Sequence, residues 1–124
     1  MKRLAIETVI EMHSALIEAS GGLDGVRDIN MLDASIASPY HTFGGQYLYP
    51  TLQVMAAHLA FSLVKNHPFL DGNKRIGILS MLTFLEINGI SVECTNDELV
   101  AIGLGLAENT INENALVEWI ISHS

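Results

Sequence analysis

A run of nine residues in the middle of the chain carries most of its chemistry-bearing side chains, and it reads His67-Pro68-Phe69-Leu70-Asp71-Gly72-Asn73-Lys74-Arg75. His67 is the side chain in this run best suited to accept a proton near neutral pH. Asp71 offers a hard oxygen ligand of the kind that Mg²⁺ prefers. Gly72 and Asn73 predict a tight turn that opens a helix, whose free backbone N–H groups favour a bound phosphate. The segment therefore suggests phosphoryl or nucleotidyl transfer to a hydroxyl group.

Two cations, Lys74 and Arg75, stand at the start of the same predicted helix. Cations are normally unfavourable at a helix N-terminus, and a bound anion would reverse that balance. Taken singly, each residue of the segment has a structural explanation: a cap for His67 or Asn73, a turn for Asp71, solvated surface for the two cations. The site hypothesis depends on their occurrence together between two rigid elements.

Two helices that are apolar almost all round flank this segment. We predict them over Thr51–Asn66 and Asn73–Asn88, and helices of this kind belong in the middle of a bundle. Pro68 ends the first of them, because the residue before a proline is pushed out of helical geometry. Phe69 is predicted to join the core.

Shorter elements are predicted before this pair. Leu4–Ala19 has apolar residues at helical spacing and ends at two glycines, and Asp28 can cap a second helix that stops near Pro39. Pro39–Pro50, which we call the flap, is predicted to be a loop or hairpin around two central glycines.

Two closing helices are predicted in the last third of the chain. They would begin at T-x-x-E capping-box patterns that start at Thr95 and Thr110. Gly103 and Gly105 weaken the prediction of the first of these helices. Ile90–Glu93 is predicted as a short extended piece before it. Without repeats or linkers, residues 1–124 are predicted to form a single all-α domain.

Composition excludes several classes of protein. The chain has 6 basic and 14 acidic side chains and a net charge of −8, which argues against nucleic acid as a direct partner. The longest stretch without Asp, Glu, Lys or Arg, Ala34–Val64, contains prolines and glycines, so no membrane span is predicted. The N-terminus has no signal-peptide pattern. The lone Cys94 is predicted to be a small buried hydrophobe, and a lone thiol is typical of a cytoplasmic protein.

The remaining histidines are predicted to serve structure. His13 lies on the apolar face of the first helix, and both it and His58 are predicted to be hydrogen-bonded core residues. His41 falls in the flap and is predicted to lie on the surface, although a role for it or for Lys65 stays open. No His/Glu spacing matches a zinc motif.

The nine-residue segment resembles the signature of the Fic/Doc family, H-x-F-x-[D/E]-[G/A]-N-[G/K]-R, in which seven of nine positions are specified. The resemblance covers most of the chain, from the first helix to the last. It implies the Fic/Doc fold, a compact bundle of about six helices with a short flap. It also implies ATP and Mg²⁺ as cofactors.

This resemblance implies a role for each residue of the segment. His67 would be the base that deprotonates the target hydroxyl, and Asp71 would hold Mg²⁺. The anion hole for the nucleotide phosphates would consist of Gly72, Asn73, Lys74 and Arg75. The flap would align a segment of the target, so the residues expected to touch a target or an antitoxin are Tyr40, His41, Phe43 and Tyr47.

Two positions favour the Doc branch, the death-on-curing toxins. Enzymes of the family that transfer AMP typically have Gly where this chain has Lys74, and a second Arg where it has Ile78. The resemblance to Doc implies transfer of the γ-phosphate of ATP to elongation factor Tu. Pro68 and Gly72 are more similar to the AMP-transferring branch, so an AMP transferase is the alternative. A catalytically inactive protein-binding module is a further alternative, disfavoured because the motif residues are present.

Regulation is expected from a separate protein. The inhibitory helix of autoinhibited Fic proteins has the pattern S/T-x-x-x-E-[G/N], and the nearest match here, Ser14–Ala19, lacks the final Gly or Asn. The resemblance to Doc implies a cognate antitoxin that folds on binding near the active site. We predict that an amphipathic, helical antitoxin segment covers part of residues 34–75. The flap carries the aromatic and apolar side chains expected of such a surface: Tyr40, Phe43, Tyr47, Leu48 and Tyr49.

Overall fold

The computed structural model describes all 124 residues and contains six α-helices and one small hairpin, which confirms the predicted all-α fold. None of the helices is long and apolar enough to cross a membrane. In chain order the elements are α1 (Ile6–Ser20), α2 (Ile29–Ala37), a 3₁₀ turn (Ser38–Tyr40), β1 (Thr42–Phe43), β2 (Gln46–Tyr47), α3 (Leu52–Asn66), α4 (Asn73–Ile87), α5 (Asn96–Ala107) and α6 (Glu113–His123).

The two central helices lie where the sequence places them. α3 packs against α4 and is also contacted by α2, α5 and α6, and most of its residues are buried. Gly77 of α4 faces α3 so closely that a Cβ there would lie 2.9 Å from Val64 Cγ2 and 3.2 Å from the Ala60 carbonyl. The absence of a side chain at Gly77 therefore lets α3 and α4 pack closely. Their connection is thus anchored at both ends in a close-packed core.

Caps confirm three of the predicted helix starts. Asp28 accepts the Met31 N–H at the start of α2, and Thr51 accepts the Val54 N–H at the start of α3. Thr95 makes the full capping box at the start of α5. These side chains pair backbone N–H groups that have no partner inside the helix.

The prediction that Thr110 caps the last helix is wrong. α6 begins later, and its cap is Asn112, which accepts the Ala115 N–H. Thr110 belongs to the end of α5, because its N–H and that of Ile111 both donate to the Gly105 carbonyl. Bonds of this kind complete a helix C-terminus.

Two further predictions concern this region. Ile90–Glu93 lies outside the helices and strands, and the Glu93 N–H donates to the His123 carbonyl at 2.9 Å, which ties the segment to the end of α6. Cys94 is half-buried rather than buried, because it lies on the connection before α5 and not on a core-facing helix stripe. Gly103 and Gly105 do not interrupt α5, where both are buried against neighbouring residues.

Candidate active site

The loop between α3 and α4 carries the nine-residue segment, and both of its ends have left-handed backbone. His67 follows α3 with φ 47° and ψ 54°, and Gly72 precedes α4 with φ 76°. This conformation is ordinary for glycine but unfavourable for histidine, and strained residues of this kind concentrate at functional sites. Because His67 is also exposed, contacts elsewhere must hold the loop in place.

Backbone hydrogen bonds from the α1–α2 connection hold the loop on one side. The Pro68 carbonyl accepts the N–H of Arg27 at 2.8 Å and that of Asp28 at 3.1 Å. The Leu70 N–H donates to the Gly25 carbonyl at 3.0 Å. Together these bonds make a short antiparallel bridge, so the loop behaves like a paired strand at this point.

Arg27 is a residue of this site that the sequence analysis did not identify. Its guanidinium donates to the carbonyls of Asn66 at 2.9 Å and His67 at 2.5 Å. Carbonyls at a helix end have no helical partner, and a cation there is favourable. Arg27 thereby helps to hold the strained His67 backbone. The only signal in the sequence is an isolated cation between two helices, and that is equally typical of solvated surface.

Asn73 binds the loop from the other side. Its Oδ1 accepts the Phe69 N–H at 3.0 Å, and its Nδ2 donates to the Phe69 carbonyl at 3.1 Å. Nδ2 also lies 3.5 Å from His67 Nδ1. Asn73 is 7% exposed. Its side-chain amide is therefore committed to loop structure, and only its backbone N–H is left for the phosphate contact predicted from the sequence.

The first turn of α4 presents unpaired backbone donors. The first backbone bond into the helix runs from the Ile76 N–H to the Gly72 carbonyl at 2.9 Å. The N–H groups of Asn73, Lys74 and Arg75 have no backbone acceptor. The partial positive charge at this end of the helix adds to these donors, so the turn is suited to a phosphate.

Asp71 is an ionised carboxylate beside this turn. Its Oδ2 accepts the Leu23 N–H at 3.2 Å and its Oδ1 accepts the Gly72 N–H at 2.8 Å. These two hydrogen bonds, with the charge of Arg75 nearby, hold the pKa of Asp71 below its ordinary value. A Cβ at Gly22 would lie 2.6 Å from Asp71 Oδ2, so only glycine lets the chain pass so close. One such carboxylate beside a phosphate site fits Mg²⁺, which completes its coordination with substrate oxygens and water.

The two cations of the segment have different surroundings. Arg75 Nη1 donates to Ser20 Oγ at 2.6 Å and to the Gly21 carbonyl at 2.9 Å, so Arg75 caps the C-terminal end of α1. Lys74 is exposed and forms no ion pair. The structure thus brings together all six predicted site residues of the segment, but leaves Lys74 as the free cation.

The flap is a hairpin whose tip is exposed. Thr42 lies opposite Tyr47 in the two-stranded pairing, and Phe43 is 81% exposed. Tyr47 and Leu48 are 42% and 54% exposed, and His41 is also exposed. These residues match the apolar surface predicted from the sequence.

Tyr40 and Tyr49 do not belong to that exposed surface, which corrects the prediction. The Tyr40 hydroxyl accepts the Leu4 N–H at 3.4 Å and its ring packs near Phe84; burial raises its pKa. Tyr49 stacks on His58 with ring centroids 4.0 Å apart. The two tyrosines at the ends of the flap are therefore held against helices α4 and α3, since Tyr40 packs near Phe84 and Tyr49 stacks on His58.

Three other predicted residues, His13, His58 and Lys65, have partners within the protein. His13 is 1% exposed and hydrogen-bonded, as predicted. His58 is hydrogen-bonded to both Glu113 oxygens at 3.1 Å, but its ring is half-buried rather than in the core. Lys65 donates to Asn109 in the turn after α5.

Comparisons with known proteins identify the family of this chain. The model of the Fic/DOC family matches residues 3–85. The chain is 41% identical over 97 residues to "Toxin Doc" of Mycolicibacterium smegmatis (strain ATCC 700084 / mc(2)155), an alignment that covers 78% of this chain and 70% of that protein. It is 29% identical over 120 residues to "Protein kinase doc" of Escherichia phage P1, covering 97% and 94% of the two chains. The chain therefore belongs to the Fic/Doc family and to its Doc toxin branch.

Proposed function

We propose that this protein is the toxin of a toxin–antitoxin pair and transfers the γ-phosphate of ATP to a hydroxyl of a protein target. The proposal rests on one arrangement: the exposed His67, the ionised Asp71 carboxylate and three unpaired N–H groups lie around the start of α4. Its relative in Escherichia phage P1 bears the name of a protein kinase, which favours the same chemistry. The expected target is elongation factor Tu, in the cytoplasm, so that translation would stop.

His67 would accept the proton of the target hydroxyl in this reaction. Its ring is exposed, and the contact of its nitrogens with another side chain is the 3.5 Å approach of Asn73 Nδ2 to Nδ1. The N–H groups of the α4 turn and the Lys74 ammonium would bind and orient the phosphates. Asp71 would hold Mg²⁺, which when bound neutralises charge on the phosphate oxygens.

Lys74 and Ile78 favour phosphate transfer over AMP transfer. Ile78 lies one turn beyond Lys74 on α4, is 7% exposed, and cannot contact a phosphate as an arginine would. Lys74 is then the free cation on this face. AMP transfer stays the second candidate, because Pro68 and Gly72 match the AMP-transferring pattern more closely.

Labelled ATP distinguishes the two reactions. The purified protein is incubated with Mg²⁺ and a cell lysate, or with purified elongation factor Tu, using γ-labelled ATP in one set and α-labelled ATP in another. We expect only the γ-label to reach a protein, and we expect that protein to be elongation factor Tu. Incorporation of the α-label would refute the kinase proposal, and a different labelled protein would refute the target.

Lys74→Gly tests which group selects the reaction. We expect this variant to show reduced γ-phosphate transfer because it lacks the free cation, and to gain at most weak AMP transfer. Arg27→Lys is not a suitable control, since it changes the loop itself. Lys2→Gly is a matched control, because it removes an exposed lysine at the far N-terminus and should leave transfer unchanged.

A cognate antitoxin is expected to cover the flap surface. The exposed Phe43, Tyr47 and Leu48 support this placement, since apolar side chains of this size seldom stay uncovered together. The structure also has an apolar groove of about 570 Å³ between α1, α4 and α5, with Lys74 at its rim. Most of this groove lies outside residues 34–75, the range that we predict the antitoxin to cover. Co-expression with the neighbouring small open reading frame, followed by hydrogen exchange, tests the placement. Protection wholly outside residues 34–75 would refute it.

A further inference from the structure

His13 on α1 lies beneath the active-site loop and contacts it twice. Its ring stacks on Phe69, with centroids 3.8 Å apart and an interplanar angle of 12°. Its Nε2 lies 2.7 Å from the Asp71 carbonyl oxygen. On the other side of the ring, Nδ1 lies 3.5 Å from Asp24 Oδ1. The ring is 1% exposed, so these contacts are inside the protein.

An imidazole at this place needs an explanation beyond packing. The neighbouring buried positions on the same face of α1 are Val9 and Ile17, both apolar. A buried polar group is unfavourable unless it is paired. Because a carbonyl oxygen can only accept, His13 Nε2 carries a proton and donates it to Asp71. The ring therefore supplies a donor to one particular carbonyl of the loop.

The direction of that carbonyl determines the direction of the next N–H. The Asp71–Gly72 peptide is trans, so its C=O and N–H are directed to opposite sides. With the carbonyl held toward His13, the Gly72 N–H is directed away from it and donates to Asp71 Oδ1 at 2.8 Å. The hydrogen bond from His13 thus also sets the position of the Asp71 carboxylate.

Gly72 makes this peptide easy to turn over. Glycine populates positive and negative φ about equally, so the residue after the Asp71 carbonyl offers little resistance to rotation. A reversed peptide would direct the carbonyl oxygen, in place of the N–H, toward Asp71 Oδ1. A carboxylate is repelled by a carbonyl oxygen and attracted by an N–H group, so reversal would displace the Asp71 carboxylate and weaken the site.

We propose that His13 is a positioning residue: its Nε2–H holds the Asp71 carbonyl and prevents reversal of the Asp71–Gly72 peptide. The expected effect of His13 on catalysis rests on the proposed function. The expected effect of His13 on the Asp71–Gly72 peptide does not, because that hydrogen bond is made without nucleotide. His13 itself does not contact the reacting atoms.

Three substitutions separate the hydrogen bond from the packing. His13→Gln keeps an N–H donor near the position of Nε2, His13→Asn moves the donor to the position of Nδ1, and His13→Leu keeps only apolar volume. We expect His13→Gln to retain kcat/KM for Mg-ATP within about threefold. We expect kcat/KM to fall at least about tenfold in His13→Asn and His13→Leu, which corresponds to the loss of one hydrogen bond. Thermal unfolding of all three shows whether each variant is folded.

Exchange of the Gly72 amide, measured without nucleotide, keeps the two proposals apart. We expect it to be at least about tenfold faster in His13→Leu and His13→Asn than in His13→Gln, with the Gly89 amide as an unaffected control. If the wild-type protein transfers no phosphate while the three variants show this exchange pattern, the proposed function alone is refuted. Equal activity and equal exchange in the Gln and Asn variants, or failure of all three variants to fold, would overturn the role of His13.

Discussion

Asn73→Ala is expected to destabilise the protein as well as inactivate it. The substitution removes both partners of the Phe69 backbone: the acceptor of its N–H at 3.0 Å and the donor to its carbonyl at 3.1 Å. Phe69 is 1% exposed, so water does not readily replace the amide. Each buried polar group left unpaired costs about 1–3 kcal/mol. The two together predict a loss of about 2–6 kcal/mol in the free energy of unfolding.

Urea denaturation followed by circular dichroism measures this loss directly. The midpoint should fall while the slope stays unchanged, because the same surface is exposed on unfolding. In thermal unfolding, about 3–5 °C is expected for each kcal/mol in a domain of this size, so the midpoint should fall by at least about 6 °C. Lys74→Ala is the matched control, since Lys74 is exposed on the same turn and should change stability by less than about 0.5 kcal/mol.

Asn73→Asp tests the donor alone. A carboxylate at this position can still accept the Phe69 N–H, but it places an oxygen against the Phe69 carbonyl. The variant should be less stable than wild type at neutral pH, and the difference should narrow in acid, where a protonated carboxyl can donate. If Asn73→Ala unfolds within about 0.5 kcal/mol of wild type yet loses phosphate transfer, the amide acts on the nucleotide and the structural interpretation is refuted.

Three further outcomes are expected. His67→Ala should abolish phosphate transfer and toxicity in cells with less than about 1 kcal/mol change in stability, since the side chain is exposed; full activity of the folded variant would refute its role as base. Gly103→Ala should stabilise α5 by up to about 1 kcal/mol in urea denaturation, because its added Cβ meets only ordinary contacts. Gly105→Ala should destabilise α5, because its Cβ would overlap Ile111, and the reverse order would contradict the packing of Ile111 against α5. The pKa of Glu98 is lowered, chiefly by the hydrogen bond that its carboxylate accepts from the Thr95 N–H. The ionised carboxylate therefore stabilises the fold above its ordinary pKa, and this effect is lost as pH falls through the lowered value. Glu98→Gln should flatten the acid limb of the curve of unfolding free energy against pH, and an unchanged limb would contradict this.

Local patterns in the sequence determined most of the helices and the location of the site. The apolar stretches of α3 and α4 are long and lack charges, so their burial could be predicted without a partner being known. The caps at Asp28 and Thr95 act within three or four residues, which is why they were predictable. The prediction at Thr110 was wrong although the residue matches the capping-box pattern, because its N–H donates to the Gly105 carbonyl at the end of α5.

The chemistry proposed for the nine-residue segment is likewise local, since the histidine, carboxylate, turn and cations are adjacent in the chain. What it could not determine is which side chains are free. Asn73 and Arg75 look like phosphate ligands in the sequence, yet the first is bound to Phe69 and the second to the end of α1. Whether a donor is available depends on what lies beside it, and that is set by packing.

Only the tertiary structure decided which distant residues hold the loop. Arg27 lies 39 residues from Asn66, and His13 lies 58 residues from Asp71. No periodicity or spacing links positions so far apart, because the contact exists only once α1 and the α1–α2 connection have packed against α4. The strained backbone of His67 and the direction of the Asp71 carbonyl follow from those long-range hydrogen bonds, so the chemistry was local in the chain while its geometry was not.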